Sequence, residues 1–147
     1  MKTKIFLVLA LAFLATSTTA QNKAHKDSLN SIIKQYYDLN IKVFKADSKP
    51  ADVEKIFNLF TDDFTYVHPK YGGVYSRDVL YKGYLRNQKN GRYDGDVISI
   101  KIVNRIAGLN SVVVSRRYST KKEGEGEAKM TLFEFKKGKI SKIFEYW

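Results

Sequence analysis

Apolar residues at Leu29, Ile32, Ile33, Tyr36, Tyr37, Val43 and Phe44 recur every three or four positions with charged residues between them. That spacing predicts a long amphipathic helix, which Asp27 or Ser28 can cap. Asp47-Ser48-Lys49-Pro50 breaks it, and Pro50 suits the first turn of a second helix with Val53, Ile56, Phe57 and Phe60 on one face. Thr61-Asp62-Asp63 reads as the end of that helix, more simply than as a carboxylate pair for acid–base work. The period then changes to two: Phe64, Tyr66 and His68 fall on one side of a strand and Thr65 and Val67 on the other, until Pro69 stops it. After the turn Tyr71-Gly72-Gly73, Ser76 can cap a third, short helix carrying Val79, Leu80, Tyr84 and Leu85, which runs out at Asn90-Gly91.

From there the pattern is of strands only, over residues 97–104, 111–120, 127–136 and 139–147. Gly108 with Asn110, the Glu-Gly alternation 123–126, and Lys137-Gly138 separate them, and connections this short make antiparallel neighbours. Helices at the front followed by long alternating strands predict an α+β protein, with N-terminal helices packed on one face of a curved antiparallel sheet. Tyr36, Tyr37, Phe57 and Phe60 lie at helical spacing and belong to the core of that arrangement.

The first twenty residues follow a different pattern. Lys2 and Lys4 precede an eleven-residue apolar run, 5–15, and a small polar stretch ends at Thr18-Thr19-Ala20. This is the three-part plan of a secretory signal peptide, with cleavage expected after Ala20. The run is well short of the roughly 20 apolar residues that a spanning helix needs, so no membrane span is expected. No cysteine follows it to carry a lipid. We therefore read residues 1–20 as a signal peptide and residues 21–147 as one domain that reaches the periplasm or the exterior.

Composition sharpens this picture. The 147 residues contain no cysteine, so the domain has to hold together in an oxidising compartment by apolar burial, for which ten Tyr, nine Phe and one Trp supply bulk. The formal charge is +11. Lysines are spread through every segment without a block of five or more, which is the look of a solvated surface, and export further argues against nucleic acid as a partner. With two histidines, one of them His25 near the expected new N-terminus, a zinc site lacks ligands, and no metal or cofactor is expected. The acids at 123–127 are too sparse for a calcium loop, and no nucleophile elbow, phosphate loop or dinucleotide fingerprint occurs.

The order helix, helix, strand, short helix, four strands resembles the nuclear transport factor 2-like superfamily, which includes SnoaL-like polyketide cyclases and ketosteroid isomerases. The residues that carry the likeness are Leu59-Phe60-Thr61-Asp62-Asp63-Phe64-Thr65-Tyr66-Val67-His68-Pro69, Val74-Tyr75-Ser76-Arg77-Asp78, and the ending from Gly138-Lys139-Ile140 to Glu145-Tyr146-Trp147. Val67-His68-Pro69 with Asn90-Gly91-Arg92-Tyr93 looks most like a domain-of-unknown-function branch near SnoaL. The resemblance implies a cone: the sheet curls, the helices close over its concave side, and an apolar pocket opens at one end. It also implies a homodimer through the outer face of the sheet.

Period-2 counting puts Ile143, Glu145 and Trp147 on one face of the last strand, and the resemblance turns that face and the Tyr66–His68 face into the cone. Phe60, Tyr66, His68, Tyr81, Arg116 and Trp147 are then the expected ligand-binding residues. A histidine and a carboxylate in an apolar cavity can shuttle a proton, so His68, Glu145 and Tyr66 are the catalytic candidates, with Tyr66 or Tyr81 as oxyanion donor. The aspartate that serves those enzymes as base has no clear match here. The plainer readings are a His68 ring packed on Tyr71 or Trp147 and a Glu145 salt bridge to Arg116 or Lys142. The reading preferred is a protein that holds a small apolar or amphipathic molecule; a cofactor-independent isomerase, cyclase or dehydratase stands second, and an interaction module whose cone is filled by its own aromatics third.

Overall fold

The computed structural model describes the backbone from Lys2 onward and side chains from Lys23 onward. The expected signal peptide and its cut at Ala20 lie outside the residues whose side chains are described. Three helices, α1 (Lys2–Val43), α2 (Pro50–Phe57) and α3 (Arg77–Lys89), pack with a sheet built from β1 (Phe60–His68), β2 (Gly73–Ser76), β3 (Val97–Ala107), β4 (Ser111–Thr120), β5 (Gly124–Glu125), β6 (Lys129–Lys136) and β7 (Lys139–Glu145). The main strand order is β2-β1-β7-β6-β4-β3, with β5 added beside β4. The fold is α+β with a large, open, mostly antiparallel sheet, as the alternation of helical and strand periods predicts.

Four details differ from the expectation. Helix α1 runs through Asp27 and Ser28 without a cap there, and Asp27 instead pairs with Lys23 one turn earlier, at 2.7 Å. Helix α2 stops at Phe57, so Phe60 begins a strand and Thr61-Asp62-Asp63 lies within it. Six residues of β1, Phe60 to Thr65, lie against three of β7, Ile140 to Lys142, so the polar triplet falls in a bulge in place of a helix end. Phe60 and Phe64 lie on the same side, where their rings stack with centroids 3.9 Å apart. Residues 73–76 form a strand, paired from Thr65↔Ser76 to His68↔Gly73 across a 3-10 turn at Pro69–Tyr71 that Gly72 closes at φ 85°. Finally, β1 and β7 are parallel, which only a long connection permits, and most of the domain lies between them in sequence.

Other features form as the sequence predicts. Ser76 caps α3, its Oγ accepting from the Val79 amide at 3.4 Å. Lys137 and Gly138, both at positive φ, make a two-residue hairpin between Lys136 and Lys139 of the kind that matches strand twist. The core is a single cluster in which Tyr36 and Tyr37 of α1 and Phe57 of α2 meet Phe60, Phe64, Val112, Val114, Phe133, Ile140 and Ile143 of the sheet. Tyr36 and Tyr37 meet Phe133 edge-on with centroids 5.5 and 5.8 Å away. These rings fill the middle of the layer between helices and sheet. Among the described residues no helix is long and apolar enough to cross a membrane.

Candidate functional site

The inner face of the sheet changes character along its strands. Going along β6 by twos from Phe135 and Phe133 toward its start, the apolar pair gives way to Thr131 and then Lys129. On β4 the same step leads from Val112 and Val114 to Arg116 and Tyr118, and on β7, after an irregularity between Ile140 and Lys142, from Ile143 to Glu145. On β1 it leads from Phe64 to Tyr66 and His68. Cross-strand register sets these polar residues beside one another, with Arg116 opposite Lys129 and Thr131 opposite Glu145. A polar end thus continues directly from the aromatic core.

Glu145 organises it. Its Oε2 accepts from Arg116 Nη2 at 2.9 Å, from Thr131 Oγ1 at 2.7 Å and from Trp147 Nε1 at 2.8 Å. Three donors converge from β4, β6 and the residues after β7 on one oxygen. The ion pair is dry: the Arg116 and Glu145 side chains are 1% and 6% exposed. Isolated charges are costly in such surroundings, and this pair persists because the carboxylate is hydrogen-bonded on all sides of Oε2. The guanidinium is less complete, since Nε and Nη1 are buried without protein partners. It lies over the Tyr118 ring at 4.9 Å and is within 6.0 Å of the Trp147 and Tyr37 centroids.

His68 is 3% exposed. Its ring sits between Tyr71 and Trp147, with centroids 4.4 and 4.6 Å away, and neither ring nitrogen has a protein partner. Burial lowers its pKa, opposed by the nearby Glu145 charge and reinforced by Lys70 and Arg116. The imidazole is therefore neutral near pH 7, with one donor and one acceptor unspent. Burial also raises the Tyr66 hydroxyl far above its usual range, and Glu145 adds to the effect, so Tyr66 remains protonated.

Two cavities meet this cluster, with Trp147 lining both. One, of ≈ 240 Å³, is bounded by Tyr66, His68, Tyr71, Tyr75, Leu80 and Trp147 and is almost wholly apolar. The other, of ≈ 580 Å³, is lined by Val97, Tyr118, Thr120, Glu123, Glu127, Lys129 and Trp147. A cleft of similar size between α1 and α2, lined mainly by charged residues such as Lys42, Asp47 and Asp52, shares no residue with the cluster.

Of the residues singled out from sequence, Tyr66, His68, Arg116, Glu145 and Trp147 come together here. Phe60 does not, being buried in the core against Phe64 and Phe57. Tyr81 packs edge-on to Phe57 at 5.0 Å and lines neither cavity of the cluster. The partner of Glu145 is Arg116, while Lys142 faces Glu134. Sequence reading passed over Thr131, Lys129 and Tyr118. Counting by twos from Phe133 and from Arg116 reaches all three, so the signal was present in the strand period. Among the described residues no group of three or more His, Asp or Glu side chains is placed to hold a metal ion.

No family model and no curated protein matches the chain. Its fold does match solved structures. A provisionally named ketosteroid isomerase from Kribbella flavida superposes with a TM-score of 0.59 at 13% identity, over 83% of this chain and 78% of that one. A nuclear transport factor 2-like protein of unknown function from Burkholderia xenovorans gives 0.57 at 14%, covering 83% and 84%. A provisionally named polyketide cyclase from Sinorhizobium meliloti gives 0.57 at 13%, covering 81% and 98%. The chain thus has the nuclear transport factor 2-like cone fold. Identities this low carry the fold alone, and that fold serves unrelated chemistries.

Proposed function

We propose that this is an exported protein that binds a small apolar or amphipathic molecule at the open end of the cone, around Tyr66, His68 and Trp147. The observation that carries the reading is the pair of buried, unpartnered nitrogens on a neutral His68 beside an apolar cavity. Leaving a buried donor or acceptor unsatisfied costs roughly 1–3 kcal/mol, and a polar atom on a bound molecule would offset it. A mostly apolar lining with a few polar groups is what small-molecule sites present. Because the aromatic core fills the middle of the cone, the ligand is small or reaches only part of the way in.

A second reading keeps the same residues and makes the site catalytic. His68 with a neutral imidazole and Tyr66 with a protonated hydroxyl both line one cavity, and the pair suits proton abstraction by His68 with Tyr66 as donor to a developing oxyanion, as a cofactor-independent isomerase, cyclase or dehydratase requires. Glu145 suits the base role less well, because its Oε2 is engaged by three donors. The homodimer, through the outer face of the sheet, belongs to the same proposal.

Native mass spectrometry of the protein recovered from its export route tests the binding reading. A retained adduct is expected on the wild-type chain and its loss on Leu80→Trp, which fills the smaller cavity. A bare protein in both cases, with no added small molecule altering Trp147 fluorescence, would overturn it. On a substrate that is turned over, His68→Ala should abolish activity under the catalytic reading, and full activity in that variant would remove His68 from the mechanism.

A further inference from the structure

We infer that the larger cleft beside Trp147 is a site for an organic anion, whose carboxylate, sulfonate or phosphate group is held by Lys129. The inference rests on the proposed small-molecule role of the cone's open end and adds the charge of the ligand.

The argument starts from register. Arg116 and Lys129 are directly opposite on adjacent antiparallel strands, so their side chains leave the same face of the sheet. Like charges in that relation repel. Arg116 is compensated by Glu145, whose Oε2 is already shared with Thr131 and Trp147. Lys129 is not compensated: among the described residues its ammonium makes no ion pair, and it rests 3.6 Å from the centroid of the Trp147 ring. A ring face is a weak partner for an ammonium group compared with an anion.

Two more observations point the same way. The Arg116 Nε and Nη1 donors are buried without partners, so although its charge is paired with Glu145 the guanidinium retains unspent hydrogen-bonding capacity. Burial, Arg116 and Lys70 also depress the Lys129 pKa, with Glu127 and Glu145 acting weakly against them. The cations therefore outweigh the acids at this point of the cleft. Glu123 and Glu127 also line the cleft, so the anion is held by Lys129 itself and not by a wholly basic wall. The apolar part of the ligand would lie against Tyr118, Val97 and Trp147, and a cleft of ≈ 580 Å³ accommodates a molecule of one or two rings.

The test compares two probes that differ by one group: anilinonaphthalene sulfonate and the neutral phenylnaphthylamine that lacks its sulfonate. Each is titrated into the purified protein, following dye emission and quenching of Trp147, the chain's one tryptophan. The sulfonate is expected to bind at least about tenfold more tightly, as a charge-assisted contact in a partly buried site should give. Lys129→Gln should remove that preference and leave the neutral probe unchanged, Lys129→Arg should keep it, and added salt should weaken the sulfonate alone. Equal affinities, or a Lys129→Gln variant that retains the preference, overturn the anion site while leaving a small-molecule site in place. If neither probe quenches Trp147, the reading of the open end falls, and the anion site with it.

Discussion

Replacing Glu145 by glutamine removes one charge and changes little else in shape, and the structure says what that charge is worth. Arg116 would stay in a position that is 1% exposed with the one counter-charge it has among the described residues gone. Breaking a buried ion pair by deleting one partner costs roughly 3–5 kcal/mol. The glutamine carbonyl can still accept from Thr131 or Trp147, which places Glu145→Gln toward the lower end, at about 3 kcal/mol. For a domain of this size that corresponds to a fall in Tm of roughly 10 °C. Arg116→Met should cost a similar amount, since it leaves a buried carboxylate with two donors and no cation. The double variant is the sharper measurement. With both charges gone, the loss should be smaller than the sum of the two single losses by at least about 1.5 kcal/mol. Urea denaturation followed by Trp147 fluorescence and by circular dichroism gives all three values, provided the two signals coincide and the m-value is unchanged. Single losses below about 1 kcal/mol, or losses that simply add, would refute the claim that this pair is dry and mutually dependent.

Two further predictions concern the cluster and the core. The His68 pKa is depressed below 6.5 in the folded chain, so as pH falls through 6.5 the unfolded state takes up a proton that the native state refuses. Its contribution is complete above that value and is lost as pH falls toward the depressed folded value, by up to about 1.4 kcal/mol per pH unit. His68→Phe should therefore lose less stability than wild type between pH 7 and pH 5 in urea titrations, and parallel losses would refute the assignment. Phe60→Ala should cost roughly 3–5 kcal/mol, because Phe60 is fully buried and packs on Phe57, Phe64 and Tyr36. A denaturation midpoint within error of wild type would show that this ring is not part of the core.

The cluster was only partly legible in the chain. Alternation along β1 and β7 correctly grouped Tyr66 with His68 and Glu145 with Trp147, because side-chain direction in a strand is a local property with a period of two. Arg116 was within reach for the same reason. Phe60 and Tyr81 were drawn into the site by type alone, and packing sends both elsewhere. For Phe60 the cause is specific: Thr61-Asp62-Asp63 has the composition of a helix end, and a bulge held by pairing with β7 cannot be read from the composition of β1. The four residues of β2 escaped notice because a strand that short is defined by its partner, here residues 65–68, more than by its own sequence.

What the sequence determined by itself was the set of local periods: three helical segments, a run of alternating strands, the Ser76 cap, and the Lys137-Gly138 turn. From these come the α+β class and the identity of most of the core, because amphipathic spacing and turn chemistry act over a few residues. Tertiary structure alone decided the parallel contact of β1 with β7, the closing of the cone's middle by its own aromatic rings, and the meeting of Arg116, Thr131 and Trp147 on one oxygen of Glu145. It also set Lys129 opposite Arg116 on the neighbouring strand. Each of these depends on register between strands far apart in the chain, and register is a property of the assembled sheet.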